Sequence, residues 1–187
     1  MRMFLSPHKS GDERMQISQT SEQIKALSTF QGHCEIEGIT LLSCNTSRAK
    51  AGTSFREPFS VKPALSNISS SVQGGQFVVE VSFEYSAWDA SEPPERLFLI
   101  NCTFETIYRI RDDYSPSDEE KHSFSRGTAV FNCWPYAREF LRDITARLGH
   151  QTPALPLLRI TPKKVEPTEE EPSLLGEPDE DEYPDEE

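Results

Sequence analysis

The stretch from Pro135 to Gly149 constrains the fold most, because it predicts one long amphipathic helix with both ends marked. Its apolar residues recur three and four positions apart, and charged residues fill the other side. The apolar set is Tyr136, Ala137, Phe140, Leu141, Ile144 and Leu148. Pro135 suits a first helical turn, where amides have no intrahelical partner, and Gly149 can adopt the left-handed conformation that ends a helix. We therefore predict a helix of about four turns.

A segment rich in proline and leucine follows this helix. Pro153 and Pro156 exclude further helix, and the residue before each proline is restricted to extended conformations. The apolar residues of the segment are Leu155, Leu157, Leu158 and Ile160. The segment is therefore predicted to run extended.

Four β-strands are predicted before the long helix. The third is the clearest, because apolar residues alternate with Glu and Ser from Phe77 to Ala87, as in an antiparallel sheet covered on one side. The others are Glu35–Arg48, a strand containing Phe59, Val61 and Leu65, and Arg96–Ile110. Pro63 confines the second strand to a sheet edge or a bulge. Gly74 and Gly75 predict a turn before the third strand.

Less regular segments connect these elements. A short helix is predicted from Ser21, with Thr20 or Ser21 itself as its cap. Residues 111–122 are predicted to form a charged loop, and residues 127–131 lead into the long helix. The predicted fold class is therefore α+β, with a four-stranded antiparallel sheet followed by a long amphipathic helix.

The order of residues at the helix is more specific than its periodicity. The run Trp134-Pro135-Tyr136-Ala137-Arg138-Glu139, followed by a helix, a glycine and a Pro-Leu segment, resembles the aromatic-Pro-Tyr-x-Arg-Glu helix of the SecB family of export chaperones. The longer run that continues through Asp143, Thr145, Arg147 and Leu148 is similar to the SecB-like chaperones that accompany some toxin–antitoxin pairs. The resemblance covers roughly Ile36 to Ile160, and the long N-terminal extension, the charged segment 111–122 and the tail depart from the export chaperone.

The resemblance implies an ATP-independent holdase, assembled as a homotetramer from two dimers, that holds unfolded polypeptides in apolar grooves beside the helix. The candidate client-binding residues are Phe131, Trp134, Tyr136, Phe140, Leu155 and Leu157. The clients would be preproteins for export or an aggregation-prone antitoxin. Two alternatives stay open: these side chains are ordinary core or subunit contacts, or the chain is a structural or adaptor protein with the same fold.

Other classes of function are disfavoured by composition. Of the 31 acidic residues, 12 follow Val165, where no Lys or Arg occurs, and the other 19 balance the 19 Lys and Arg of the body. A neutral body argues against nucleic-acid binding, which needs a basic surface. The sequence shows no phosphate-binding loop, no nucleophile motif and no metal-type cysteine spacing, so we expect neither an enzyme nor a cofactor.

The compartment is predicted from two absences in the sequence. No stretch approaches the roughly 20 apolar residues of a membrane span, and the apolar core of residues 1–11 is too short for a signal peptide. We therefore expect a cytoplasmic protein, peripheral to a membrane at most, with its four cysteines reduced.

The domain prediction is a disordered leader over residues 1–14, a SecB-like domain over 15–161 and a disordered acidic tail over 162–187. Three roles stay open for the tail. It could supply solubility, it could dock through Glu180, Asp181 and Glu182 on a basic surface, or Leu174 and Leu175 could fold back into the client groove. The resemblance implies the export motor protein as the docking partner.

Overall fold

The computed structural model describes residues 15–48, 60–89, 92–150, 152–153, 155 and 157–162. Its elements in chain order are β1 (Met15–Gln19), α1 (Ser21–Gln31), β2 (Cys34–Arg48), β3 (Ser60–Gln73), β4 (Gln76–Trp88), β5 (Arg96–Ile110), α2 (Asp118–Phe124), a π-helical turn (Ser125–Ala129), α3 (Val130–Arg147) and β6 (Leu158–Pro162). The predicted leader, Phe59, and the tail after Pro162 lie outside the described residues.

The four long strands form one antiparallel sheet in the order β2, β5, β4, β3. The predicted α+β class is therefore confirmed, and β2 and β3 are the two edges. Pro63 lies on edge strand β3, as predicted for a proline in a strand, and the register of that strand shifts between Leu65 and Asn67. Gly74 and Gly75 have φ values of 56° and 80°, which fit the tight hairpin between β3 and β4.

The core lies on one face of β4 and β5. The alternating residues Phe77, Val79, Val81, Phe83, Tyr85 and Ala87 are all fully buried, while the residues between them are half-buried. Strand β5 contributes Ile100, Cys102, Phe104 and Tyr108 to the same face. The predicted alternation is therefore confirmed, and α3 covers the apolar side.

The helical segment is longer than predicted, since it runs from Asp118 to Arg147 through the π-helical turn. The predicted start at Pro135 is wrong, and so is the loop assigned to the end of residues 111–122. The helix begins with a capping box in which Ser117 Oγ accepts from the amide of Glu120, and the Glu120 carboxylate accepts from the amide of Ser117. Pro135 is tolerated inside α3 on its exposed side, where water can reach the carbonyl that loses its partner.

The C-terminal end of α3 is where Gly149 predicts it. Gly149 has a φ of 80°, and its amide donates to the Ala146 carbonyl at 3.0 Å. The amide of His150 reaches back to the Thr145 carbonyl at 3.1 Å, which completes a Schellman motif. The helix therefore ends here, and the chain changes direction before the proline-rich segment.

The two ends of the domain form a second, parallel sheet that the sequence did not predict. Strand β1 pairs with β6, from Met15 opposite Leu158 to Gln19 opposite Pro162. Pro162 therefore belongs to the domain, one residue beyond the predicted boundary. Helix α1 follows β1 directly and is capped by Thr20, whose hydroxyl accepts from the amide of Gln23 at 3.2 Å.

Candidate binding surface

Helix α3 fixes the position of most of the candidate residues. Its buried side chains, which recur three and four positions apart, are Val130, Cys133, Trp134, Ala137, Leu141 and Thr145. They face β4 and β5, so the residues on the two flanks of this buried stripe lie at the boundary between the core and the solvent.

Three candidate residues belong to the core. Trp134 is buried, and its ring lies 5.7 Å from that of Phe83 on β4. Phe140 is half-buried and packs edge-to-face on Phe104 of β5, with the ring centroids 6.2 Å apart. Leu155 is half-buried and packs against the same core. These three side chains position the surface rather than form its exposed part.

The other three candidate residues are exposed. Phe131 and Tyr136 each expose 52% of their surface, and Leu157 exposes 66%. Five helical positions separate Phe131 from Tyr136, a rotation of about 140°, which places them on opposite flanks of the buried stripe. Core packing alone does not explain two aromatic side chains that are half exposed, one on each flank of the buried stripe.

The flank with Tyr136 faces edge strand β2. One turn before Tyr136, Asn132 Nδ2 donates to Tyr108 Oη at 3.0 Å, and one turn after it Phe140 packs on Phe104. Both partners are on β5, and their neighbours on β2 are Ile36 and Leu41. Since residues directly opposite share a face of the sheet, Ile36 and Leu41 lie on the face of the sheet that α3 packs on, on the same side of the helix as Tyr136.

Ile36 and Leu41 are themselves exposed, at 49% and 39%. Together with Tyr136 they form an apolar strip, called here the β2-side surface, whose floor is Phe140. Ile36 and Leu41 were not among the predicted client-binding residues. Apolar residues on an edge strand would have indicated this surface, but the sequence does not reveal which strand lies at the edge of the sheet.

The flank with Phe131 faces the other edge of the sheet. Trp134, one turn after Phe131, contacts Phe83, which lies opposite Leu65 on β3. Further along β3, Val72 is also exposed, but it lines a cleft with Asp118, Lys121 and His122 of α2 rather than with α3. On the β3 side of α3 the exposed apolar surface is therefore that of Phe131 itself.

The electrostatics around α3 are weak. Glu139 and Arg142 lie 3.8 Å apart, Asp143 and Arg147 lie 2.9 Å apart, and both pairs are exposed, so they contribute little to stability. Burial raises the pKa of Tyr108 to about 12 and raises that of Tyr85 further, so both phenols stay neutral. The two phenols therefore add no charge to the core beneath α3.

Among the described residues, no three His, Cys, Asp or Glu side chains gather as metal ligands would. Within the same part of the chain, no helix combines the length and apolarity of a membrane span. The predicted docking residues Glu180, Asp181 and Glu182 lie outside the described residues.

The fold defines the class of protein that this chain resembles. No protein-family model and no curated protein matches the sequence. Its structure is similar to the Mycobacterium tuberculosis Rv1957 SecB-like chaperone, solved in complex with a ChAD peptide from the Rv1956 HigA1 antitoxin, with a TM-score of 0.65 and 18% identity. The match covers 73% of this chain and 99% of that one. The chain therefore has the SecB-like fold.

A second solved structure, of a Streptococcus agalactiae protein of unknown function, matches with a TM-score of 0.35 and 12% identity, over 65% of this chain and 95% of that one. Its similarity is too low to bear on function.

Proposed function

We propose that this protein is an ATP-independent holdase chaperone that binds unfolded polypeptide along the two flanks of α3. The observation that carries the proposal is the pair of exposed aromatic residues, Phe131 and Tyr136, beside exposed apolar residues of the sheet on a SecB-like fold. Contiguous exposed apolar surface marks an interaction site in a folded protein.

The energetics favour a client that is unfolded and apolar rather than one with a defined sequence. Each contact with Tyr136, Ile36 or Leu41 would contribute in proportion to the apolar area it removes from water, about 25 cal/mol per Å². Such contacts are non-directional, so the site selects for exposed hydrophobic residues. Trp134, Phe140 and Leu155 take the role of a floor that holds the exposed residues in place.

Two client classes fit this surface, as the sequence resemblance already implies. The SecB-like chaperone of Mycobacterium tuberculosis was solved with a peptide from an antitoxin, which supports an antitoxin client for this chain. Preproteins for export are the second class. In that case Glu180, Asp181 and Glu182 would dock the chaperone on the basic surface of an export motor protein, as charge complementarity allows.

A homotetramer built from two dimers is part of the proposal. The support is that β2 is an edge strand and exposes Leu42, which is not part of the β2-side surface and which a second copy could cover. Several binding surfaces on one particle would raise avidity for a long client by roughly 10²- to 10⁴-fold. Light scattering after size exclusion tests the assembly, and a monomer at micromolar concentration would contradict it.

The decisive test of the holdase is the aggregation of a chemically unfolded client diluted into buffer without nucleotide. We expect equimolar or several-fold excess protein to suppress light scattering, and added ATP to change nothing. Unchanged aggregation, combined with a stable complex with one folded partner, would instead favour the adaptor alternative. Replacing both Phe131 and Tyr136 by Ser should remove most of the suppression while the far-UV circular dichroism spectrum is kept.

A further inference from the structure

Two cysteines on neighbouring strands lie directly opposite each other. Cys44 is on edge strand β2, and its partner in the register is Cys102 on β5. Residues directly opposite in an antiparallel pair have Cα atoms about 4.5 to 5.5 Å apart, and a disulfide requires about 4.4 to 6.8 Å. The backbone separation therefore suits a disulfide.

The edge strand is able to bring the two thiols together. Strand β2 has one neighbour in the sheet, and its register shifts between Leu41 and Ser43, immediately before Cys44. A β-bulge leaves a residue unpaired and loosens the local ladder. Cys44 is also exposed, whereas Cys102 is 2% exposed. The Cys44 thiol is therefore accessible to solvent, and the Cys102 thiol is buried.

We propose that Cys44 and Cys102 form a reversible oxidation site that closes as an intrachain disulfide. This inference goes beyond the proposed chaperone function and does not depend on it. The oxidant is hydrogen peroxide. The Cys44 thiol releases its proton, and the thiolate attacks one peroxide oxygen. The O–O bond breaks, which gives the Cys44 sulfenic acid and a hydroxide ion, and the hydroxide takes up the released proton and leaves as water. The Cys102 sulfur then attacks the Cys44 sulfur, the S–S bond forms, and the sulfenic oxygen leaves as a second water with the proton of Cys102.

The order of these steps follows from the two environments. Burial, with a smaller effect from the neighbouring Cys44, raises the pKa of Cys102 to about 12, so this thiol does not react first with a peroxide. Cys44 reacts first because its thiol reaches the solvent. A disulfide between directly opposed strands is strained, and strained disulfides are readily reduced, so a dithiol reductant restores both thiols with two electrons and two protons.

The remaining cysteines are poorer candidates. Cys34 lies opposite Ile110, and burial raises the pKa of its thiol to about 11. Cys133 on α3 is fully buried near Cys102, and burial raises its pKa to about 12. Cys133 could compete for Cys102 but has no route to the oxidant, which makes Cys44 the entry point.

The disulfide would tie β2 to the interior of the sheet next to its bulge. Strand β2 carries the exposed Ile36, Leu41 and Leu42, so oxidation would restrict the motion of the strand that forms one wall of the β2-side surface. Reduction would release it. Hydrogen exchange reports such local opening directly.

The test uses the full chain, reduced, treated with hydrogen peroxide, then unfolded and alkylated with N-ethylmaleimide before peptide mass spectrometry. We expect two of the four thiols to escape alkylation, one linked pair of peptides containing Cys44 and Cys102, and full recovery after dithiothreitol. Cys34→Ser is the matched control and should give the same link. Cys44→Ser, an exposed position, should fold normally and keep its three thiols open to alkylation.

Other products would overturn the proposal. These are a Cys102–Cys133 link, a Cys44–Cys44 link between chains, or Cys44 oxidised to sulfinic acid while Cys102 remains alkylatable. Hydrogen exchange gives a second readout: amides from Leu42 to Thr46 should exchange more slowly in the oxidised protein than in the reduced one, and the Cys44→Ser protein should show no difference. Equal exchange in the wild-type protein would contradict the tethering of β2.

Discussion

Strands β2 and β5 are both 15 residues long and pair from Cys34 opposite Ile110 to Arg48 opposite Phe98, yet their side chains differ sharply in burial. Strand β5 lies between two neighbours, and its side chains alternate between buried and half-buried positions. Strand β2 lies at the edge, and only Cys34, Gly38 and Ile39 are even half-buried. The amino-acid types of the two strands overlap, so position in the sheet decides which one becomes core and which one remains available to partners.

The difference has a functional meaning. Strand β5 supports α3 through Phe104 and Tyr108, whereas β2 presents Ile36 and Leu41 on the Tyr136 side of α3 without burying them. A long exposed edge invites pairing with other chains, and proteins that retain one commonly use it. The two bulges of β2 twist and interrupt that edge, which limits uncontrolled association.

The largest expected effect comes from one pair of residues that spans the two strands. Phe104 is 4% exposed and lies opposite Leu41, which is 39% exposed. Phe104→Ala should lower the free energy of unfolding by about 3 to 5 kcal/mol, because it leaves a cavity under α3. Leu41→Ala should cost about 1 kcal/mol or less. Guanidinium denaturation of both variants measures the contrast, and equal losses would mean that β2 is covered in solution.

A second contrast uses two glycines. A Cβ at Gly127, in the π-helical turn, would overlap Leu27 Cδ1 and lie 3.0 Å from Gln19 Nε2, whereas a Cβ at Gly38 on β2 would meet nothing within 4 Å. Gly127→Ala should therefore destabilise the protein by about 1 to 3 kcal/mol. Gly38→Ala should stay within about 0.5 kcal/mol of the wild type. Denaturation midpoints compare the two variants. An unchanged stability of Gly127→Ala would show that Leu27 on α1 and Gln19 on β1 move aside at little cost.

A smaller effect is expected from pH at the end of α3. His150 is buried, with its ring 5.1 Å from that of Phe98, and burial followed by the nearby Arg48 holds its pKa below the usual value. The fold therefore favours the neutral ring. Its contribution to stability is present above the unfolded pKa of about 6.5 and is lost as the pH falls through the folded pKa.

Denaturation between pH 7.5 and 5.5 measures this loss, in a range above the titration of Asp118 and Glu120, whose pKa values are lowered. His150→Gln should flatten the pH dependence. The matched control His122→Gln, at an exposed position, should not. If both variants keep the wild-type slope, another group is responsible.

Local signals in the sequence predict much of this fold. The alternation from Phe77 to Ala87 and the glycines at 74, 75 and 149 are short-range patterns, and each gave the right element. The predicted helix start at Pro135 is wrong because a proline also fits an exposed position inside a helix, and the capping box of Ser117 and Glu120, which marks the true start, is equally local. The pairing of β1 with β6 joins the two ends of the domain, and no local pattern encodes such a contact.

The candidate surface was only partly predictable for a geometric reason. Trp134 and Tyr136 are two positions apart in one aromatic motif, but two helical positions rotate a side chain by about 200°, so one ring is buried and the other exposed. Which of them faces the sheet depends on how α3 packs. The strand order that places Ile36 and Leu41 on the same side of α3 as Tyr136 is likewise a tertiary property.

The smallest effect on stability is expected at Tyr136, where a substitution should change client binding rather than the fold. Tyr136 is half exposed, and Tyr136→Ser should change the free energy of unfolding by no more than about 1 kcal/mol, most of it from helix propensity. Glu139→Ser is the matched control, since it places the same residue on an exposed position of the same helix, where the ion pair to Arg142 spans 3.8 Å.

Suppression of client aggregation should fall in Tyr136→Ser and persist in Glu139→Ser, because only the first removes apolar surface on the side of α3 that faces Ile36 and Leu41. Light scattering of a refolding client at equal concentrations of the two variants measures the difference. Equal suppression by both would move the binding surface to the Phe131 flank, where Phe131→Ser tests it in the same assay.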